Sequence, residues 1–243
     1  MKTLVAHMGF SKQYPANTLH ACRSVIANAQ ANVCGIEVDV QLSKDGRIVI
    51  WHDDNLKHIV GNPAVIRDTT YDELAAITKA HSHFHGESIG LLEDLLEMTA
   101  HKTALYIEIK GYPYDHENLC DRMAAMLKKY GSGDIIVHSF TADILRLMMK
   151  RVPASYVRYG FLFSNMQEYA RGGDIVSAAD YLHPHFGLLL HDDGTIARAG
   201  KPMNIWTVNT QDDVTKLMQT PLWNSVESII TDDSTLLIPG TNA

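Results

Sequence analysis

The chain of 243 residues is close to the roughly 250 of a single (β/α)8 barrel, and its 46% hydrophobic content suffices for one large core. A formal charge of −7, without any Lys/Arg block, argues against nucleic acid or an anionic membrane surface as the main partner and favours a small-molecule substrate. Cys22, Cys34 and Cys120 form neither a CxxC spacing nor a disulfide framework, and no run of about 18 apolar residues occurs, so the expectation is one cytoplasmic domain over residues 1–243 without stable membrane insertion.

In chain order, short runs rich in Val, Ile, Leu and Tyr alternate with helical patterns. Thr3–His7 reads as a strand, and 17–28 as a helix with Leu19, Cys22, Val25 and Ile26 on one side. Gly35–Val40 is the second strand. It is expected to continue into a hairpin, because Asp45-Gly46 is a favoured tight-turn pair and would let 37–43 pair with 47–52. With Asp45 and Gly46 as the turn, Lys44 faces Arg47 and His52 falls opposite Asp39, on the same face. A one-residue slip would reverse that face. Residues 53–90 carry no clear strand and are read as an excursion over one side of the barrel mouth, making the whole insertion approximately 41–90. Helices follow at 91–99, 119–129, 141–150 and 211–219. Further strands are placed at 104–110, 135–138, 156–163, 181–183, 204–208 and 228–231. Eight strands separated by helices and short connections predict an α/β fold, a TIM (β/α)8 barrel with its hairpin and loop excursion after the second barrel strand.

Five residues stand out because they end apolar runs with groups ill suited to a core: His7 in LVAHMG, Glu37 and Asp39 in GIEVDV, His52 in IVIWHDD and Glu108 in LYIEIK. In such a barrel, reactive groups gather at the C-terminal ends of the strands. Three carboxylates meeting there would repel one another unless a cation neutralised them, and oxygen-only ligands favour a hard ion, Mg²⁺ or Ca²⁺. Two histidines nearby can exchange protons near neutral pH. His81, His83 and His85 form an HxHxH run that could bind a transition metal, but their place in the excursion favours a solvated loop. His138, His183 and His185 either line the mouth or merely terminate strands, and Trp206 is either an apolar wall for substrate or a core residue.

The order AHMG, YPANT, GIEVDVQLSKDGRIVIWHDDNL, LYIEIK, HSF, NIWTVN and IITDD resembles the glycerophosphodiester phosphodiesterase family, a group of metal-dependent barrel enzymes, over nearly the whole chain. The resemblance implies a divalent cation held by Glu37, Asp39 and Glu108, with His7 and His52 as general acid and base. It also implies attack on phosphorus by a hydroxyl of the substrate alcohol, through a cyclic phosphate that water opens. Lys110 matches the family lysine near the phosphate.

Two positions depart from the family pattern. Met8 stands where the His-Arg-Gly motif has the arginine that grips the phosphate, and Ala16 where Pro-Glu-Asn-Thr has glutamate. Loss of both reads as removal of an ion pair, since either partner alone and buried would cost several kcal/mol. Lys110 would then carry more of the phosphate charge, with Asn17 as a neutral donor. A methionine after the first histidine is similar to the spider-venom-type phospholipases D. The expectation is hydrolysis of glycerophosphodiesters to an alcohol and glycerol phosphate. The alternatives are a phospholipase D-like enzyme that stops at a cyclic phosphate, or a catalytically impaired binding or regulatory homologue.

Overall fold

The computed structural model describes residues 2–28, 30–100, 102–112, 116–130 and 134–239. Nine strands form one sheet: β1 (Thr3–Ala6), β2 (Val33–Leu42), β3 (Ile48–Ile50), β4 (Ala104–Ile109), β5 (Ile135–Ser139), β6 (Arg158–Phe163), β7 (Tyr181–Pro184), β8 (Met203–Ile205) and β9 (Val226–Thr231). All except β3 pair in parallel, in the order β1-β9-β8-β7-β6-β5-β4-β2, and β1 pairs with β2 to close the ring. The fold is a TIM barrel, as the alternation of patterns predicts. The helices include α1 (Leu19–Ala27) on the barrel, α2 (Lys57–Val60) and α3 (Tyr71–Lys79) in the excursion, and α4 (Leu92–Thr99), α5 (His116–Tyr130), α6 (Ala142–Arg151), α7 (Met166–Gly172), α8 (Ile175–Ala178), α9 (Thr195–Arg198) and α10 (Gln211–Met218) around the barrel.

The strand sequences suit their position. Those buried on both faces need continuous apolar runs, and β2 and β4 keep nearly every residue out of solvent. Side chains that face the helices, such as Ile36, Val38, Val40, Ile107 and Val137, pack into one large core with Leu95, Leu119, Met123 and Leu145. The alternate side chains point inward, and there the polar residues collect.

The excursion has its own small core. Trp51, Leu56, Ile66, Leu74, Phe84 and Ile89 are each no more than 1% exposed and pack together beside the barrel. It also holds α3, a helix that the apolar pattern misses. Thr70 caps it, accepting from the Glu73 backbone while the Glu73 side chain accepts from the Thr70 backbone, so local capping rather than a strong apolar stripe sets its start.

The hairpin differs from expectation by one residue. β2 and β3 pair with Val40 opposite Ile50 and Leu42 opposite Ile48, and Gly46 takes a positive φ of 79° in a three-residue turn closed by a bond from the Ser43 amide to the Arg47 carbonyl. That register puts Trp51, not His52, across from Asp39, whose carbonyl accepts the Trp51 amide. The ladder stops at Ile50, and from there the Gln41 side chain governs the path. Its amide donates to the carbonyls of Trp51 (2.8 Å), His52 (3.1 Å) and Asp53 (2.6 Å), curling this segment back over the mouth. His52 reaches the site by this turn rather than by strand register.

Candidate active site

Glu37 and Asp39 lie two residues apart on β2 and so project to the same side. β4 sets Glu108 beside Asp39 in register. All three are buried, and each offers an oxygen within 4.8 Å of the others. Burial, then the Asp39 charge, raises the pKa of Glu37 and of Glu108 well above the carboxylate range. Asp39 is as deeply buried, yet the Lys110 ammonium holds it below its ordinary value. Lys110 Nζ bridges Asp39 (3.1 Å) and Glu108 (2.7 Å), and those charges outweigh its burial to keep it protonated. One lysine cannot neutralise three carboxylates, so without a further cation Glu37 and Glu108 tend to keep their protons. An all-oxygen donor set of this kind could hold a hard divalent cation.

His7 follows β1 in a tight turn, His7–Gly9, with Met8 at φ 49° and Gly9 at φ 82°. Glycine is required at position 9, because a Cβ there would lie 2.7 Å from that of Ala21. The turn points the Met8 amide at Glu37 Oε2 (3.1 Å) and brings His7 Nε2 within 3.8 Å of the same oxygen. On its other side, His7 Nδ1 meets Asp232 Oδ1 at 2.6 Å. Asp232 is itself held by donors from Ser11 and Asn209. Burial alone would lower the His7 pKa, but the bond to Asp232 and the Glu37 charge raise it to about 9. His52 repeats the pattern, with Nδ1 2.7 Å from Asp53 Oδ1. Each histidine is therefore backed by a carboxylate at Nδ1, which leaves Nε2 for chemistry.

A cavity of about 170 Å³ joins His7, His52, the three carboxylates and Lys110, with Phe140 and Trp206 as its apolar wall. Trp206 lies just past β8, outside the strand, and anchors its ring by donating from Nε1 to the His183 carbonyl at 2.7 Å. Asn17 is engaged on Asp39: Nδ2 donates to Oδ2 at 2.7 Å, and Oδ1 accepts the Asp39 amide at 3.1 Å. Met8 and Ala16 border a second hollow of about 330 Å³, reached past His52 and walled by Trp51 and Ile59.

Asp232 and Asp53, which contact the two histidines, and Gln41, which holds the His52 segment, are positions that the sequence patterns do not single out. A signal for Asp232 was present: it directly follows the last strand, and closing a barrel brings the last strand beside the first, where His7 follows. The HxHxH run does not assemble a metal site. His83 Nε2 sits 2.9 Å from the Ala16 carbonyl, and His85 stacks on His20 at 4.4 Å, so the run clasps the excursion to the barrel. His138, buried and level with Glu108 on the neighbouring strand, lines the cavity, and His183 is buried against it.

A closed eight-stranded barrel whose titratable side chains converge at the C-terminal mouth is the architecture of a TIM-barrel enzyme. Residues 7–236 match the model of the glycerophosphoryl diester phosphodiesterase family. The chain belongs to that family, whose named members are phosphoric diester hydrolases. A glycerophosphodiester phosphodiesterase of Caldanaerobacter subterraneus is 29% identical over 245 residues, covering 98% of this chain and 97% of that one. The uncharacterised Bacillus subtilis protein YqiK is 35% identical over 158 residues, a match that spans 63% of this chain and 64% of that one. Among solved structures, an Oleispira antarctica phosphodiesterase in complex with the product sn-glycerol-3-phosphate superposes with a TM-score of 0.80 at 23% identity, covering 96% of this chain and 93% of that one.

Proposed function

We propose that the protein is a divalent-metal-dependent phosphodiesterase that hydrolyses glycerophosphodiesters to an alcohol and glycerol phosphate. The observation that carries this reading is the convergence of Glu37, Asp39 and Glu108 between two carboxylate-backed histidines in one cavity. These three side chains would hold Mg²⁺ or Ca²⁺, which supplies charge for the phosphoryl oxygens and acidifies a bound hydroxyl.

The chain's own groups do the rest. Asn17 fixes Asp39 from both sides of its amide. Lys110 uses two of its three donors on carboxylates and keeps the third for a phosphate oxygen. Nε2 of one histidine takes the proton of the attacking substrate hydroxyl as its oxygen bonds to phosphorus, and Nε2 of the other protonates the alkoxide as its P–O bond breaks; water then opens the cyclic phosphate to glycerol phosphate with the proton transfers reversed. Asp232 and Asp53 hold the two rings in the tautomer this requires. Trp206 and Phe140 exclude water on the side away from the carboxylates. In place of an arginine-glutamate pair, Met8 and Ala16 leave an apolar hollow beside His52, so phosphate recognition falls to Lys110.

Phosphorus NMR of the products from glycerophosphocholine and glycerophosphoethanolamine, with Mg²⁺ or Ca²⁺ and with EDTA, tests this reading. Linear glycerol phosphate that disappears with EDTA supports it. Accumulation of a cyclic phosphate would assign a phospholipase D-like reaction, and no metal-dependent turnover on either substrate would leave a binding homologue.

A further inference from the structure

Beside the carboxylates, the barrel interior holds a line of buried polar side chains that take no part in the proposed reaction, formed by Ser228, Asn204, His183 and His138, the last of which lines the cavity. Their hydrogen bonds can be read as a sequence of donors. Ser228 Oγ donates to Asn204 Oδ1 at 2.6 Å, which turns the amide nitrogen of Asn204 toward His183 Nε2 at 3.0 Å. An amide nitrogen only donates, so His183 Nε2 accepts and carries no hydrogen. Burial keeps His183 neutral by pushing its pKa down to about 3, and its single hydrogen therefore sits on Nδ1. That atom faces His138 Nδ1 at 2.9 Å, which must accept. The hydrogen of a neutral His138 is left on Nε2.

His138 Nε2 is buried and has no hydrogen-bond partner among the described residues. It points at Glu37 Oε1, 3.7 Å away, a gap that a small rotation of the carboxylate would close. Buried donors are almost always satisfied, so an orphan beside an acceptor marks a contact made in another state of the site. Glu37 Oε2 already accepts the Met8 amide, which leaves Oε1 for this donor. The pair also has a built space: a Cβ on Gly160 would lie 2.5 Å from His183 Nε2, so glycine at that point of β6 is what admits the ring. With Glu37 ionised on a cation, reversing every bond in the line would aim a bare nitrogen lone pair at its carboxylate, two acceptors face to face.

We propose that His138 is a positioning residue, fixed by the Ser228–Asn204–His183 line in the Nε2–H tautomer so that this N–H orients Glu37 for holding the cation. The proposal rests on the reading that Glu37, Asp39 and Glu108 bind a divalent ion. Outer partners of metal ligands typically contribute roughly 10–100-fold in affinity.

The test combines ring-nitrogen NMR with calorimetry on the full-length protein. Long-range ¹H–¹⁵N correlation with saturating CaCl₂ or MgCl₂ should show His138 protonated on Nε2 and His183 on Nδ1. Titration with CaCl₂ or MgCl₂ should show His138→Leu binding the ion roughly 10–100-fold more weakly than wild type, whereas His138→Gln, which keeps an N–H donor, should stay within about threefold. Thermal melts establish that both variants are folded, and the NMR measurement needs no variant. The opposite tautomers, or a folded His138→Leu that binds as tightly as wild type, would overturn the proposal while leaving the cation reading in place. A wild-type protein that binds neither ion would overturn both.

Discussion

At the level of single residues, the proposed reaction rests on two histidines with unequal surroundings. His7 is enclosed by Glu37, Asp39 and Asp232, whose charges carry its pKa from 6.5 toward 9. A bound cation would cancel much of that field. NMR titration of the His7 ring is therefore expected to give a pKa well above 6.5 without metal and a lower one with saturating Ca²⁺ or Mg²⁺. The sign follows from linkage: if the ion lowers the affinity of His7 for its proton, the proton lowers the affinity for the ion, so metal binding should strengthen as pH rises toward 9. An unchanged His7 titration with bound metal would contradict the arrangement. His7→Ala and His52→Ala should each reduce kcat by about 10²- to 10⁴-fold with little change in melting temperature. Asp232→Asn should lower kcat as well, since an amide can donate to Nδ1 and stabilise the wrong tautomer. Steady-state kinetics and ¹⁵N shifts of the His7 ring check it together.

Among the elements, the hairpin shows what a sequence can and cannot specify. The Asp45-Gly46 pair marks a turn correctly, but a two-residue and a three-residue turn share that signature, and the choice between them moves every facing pair by one. The positive φ of Gly46 and the Ser43–Arg47 closure settle it for the longer turn. His52 still arrives at the mouth because Gln41, buried inside β2, gathers three consecutive carbonyls. Gln41→Leu is expected to leave those carbonyls short of partners, lowering stability by about 1–3 kcal/mol and displacing His52. Denaturant melts should show the loss, and kcat should fall further than stability alone explains. Native kcat in a folded Gln41→Leu protein would mean that His52 is held by other contacts, such as the Tyr112 hydroxyl on its carbonyl at 3.0 Å. The acidic cluster was legible because carboxylates at i and i+2 of an apolar run have few structural uses. α3 was not, because its start is set by the Thr70–Glu73 cap. The His138–His183 pair was invisible for a different reason: β5 and β7 are separated by β6, and only Gly160 between them allows the rings to touch.

For the whole molecule, barrel closure and the proposed cation site depend on the same strands. β2 and β4 supply the carboxylates, and β2 pairs with β1 to complete the ring. If residues 1–243 form one domain, thermal melting should be a single cooperative transition. Mg²⁺ or Ca²⁺ at about 100 times its Kd should then add about 2.7 kcal/mol to the native state and raise the melting temperature by several degrees, reversed by EDTA. Scanning calorimetry with and without each ion measures this. A melt indifferent to both ions would count against a binding site at the carboxylates. The eightfold alternation made this architecture readable from the chain, because a parallel sheet needs apolar strands and a crossover helix after each.

The partner of His7 is 225 positions away in the chain, just past the strand that shuts the ring. A polypeptide still emerging from the ribosome would carry His7, all three acidic residues of the cluster and His52 long before Asp232 is translated. Competence for catalysis should thus be acquired last, at the moment β9 slots in beside β1, and an incomplete chain would hold most of the machinery with its acid-base group unaligned.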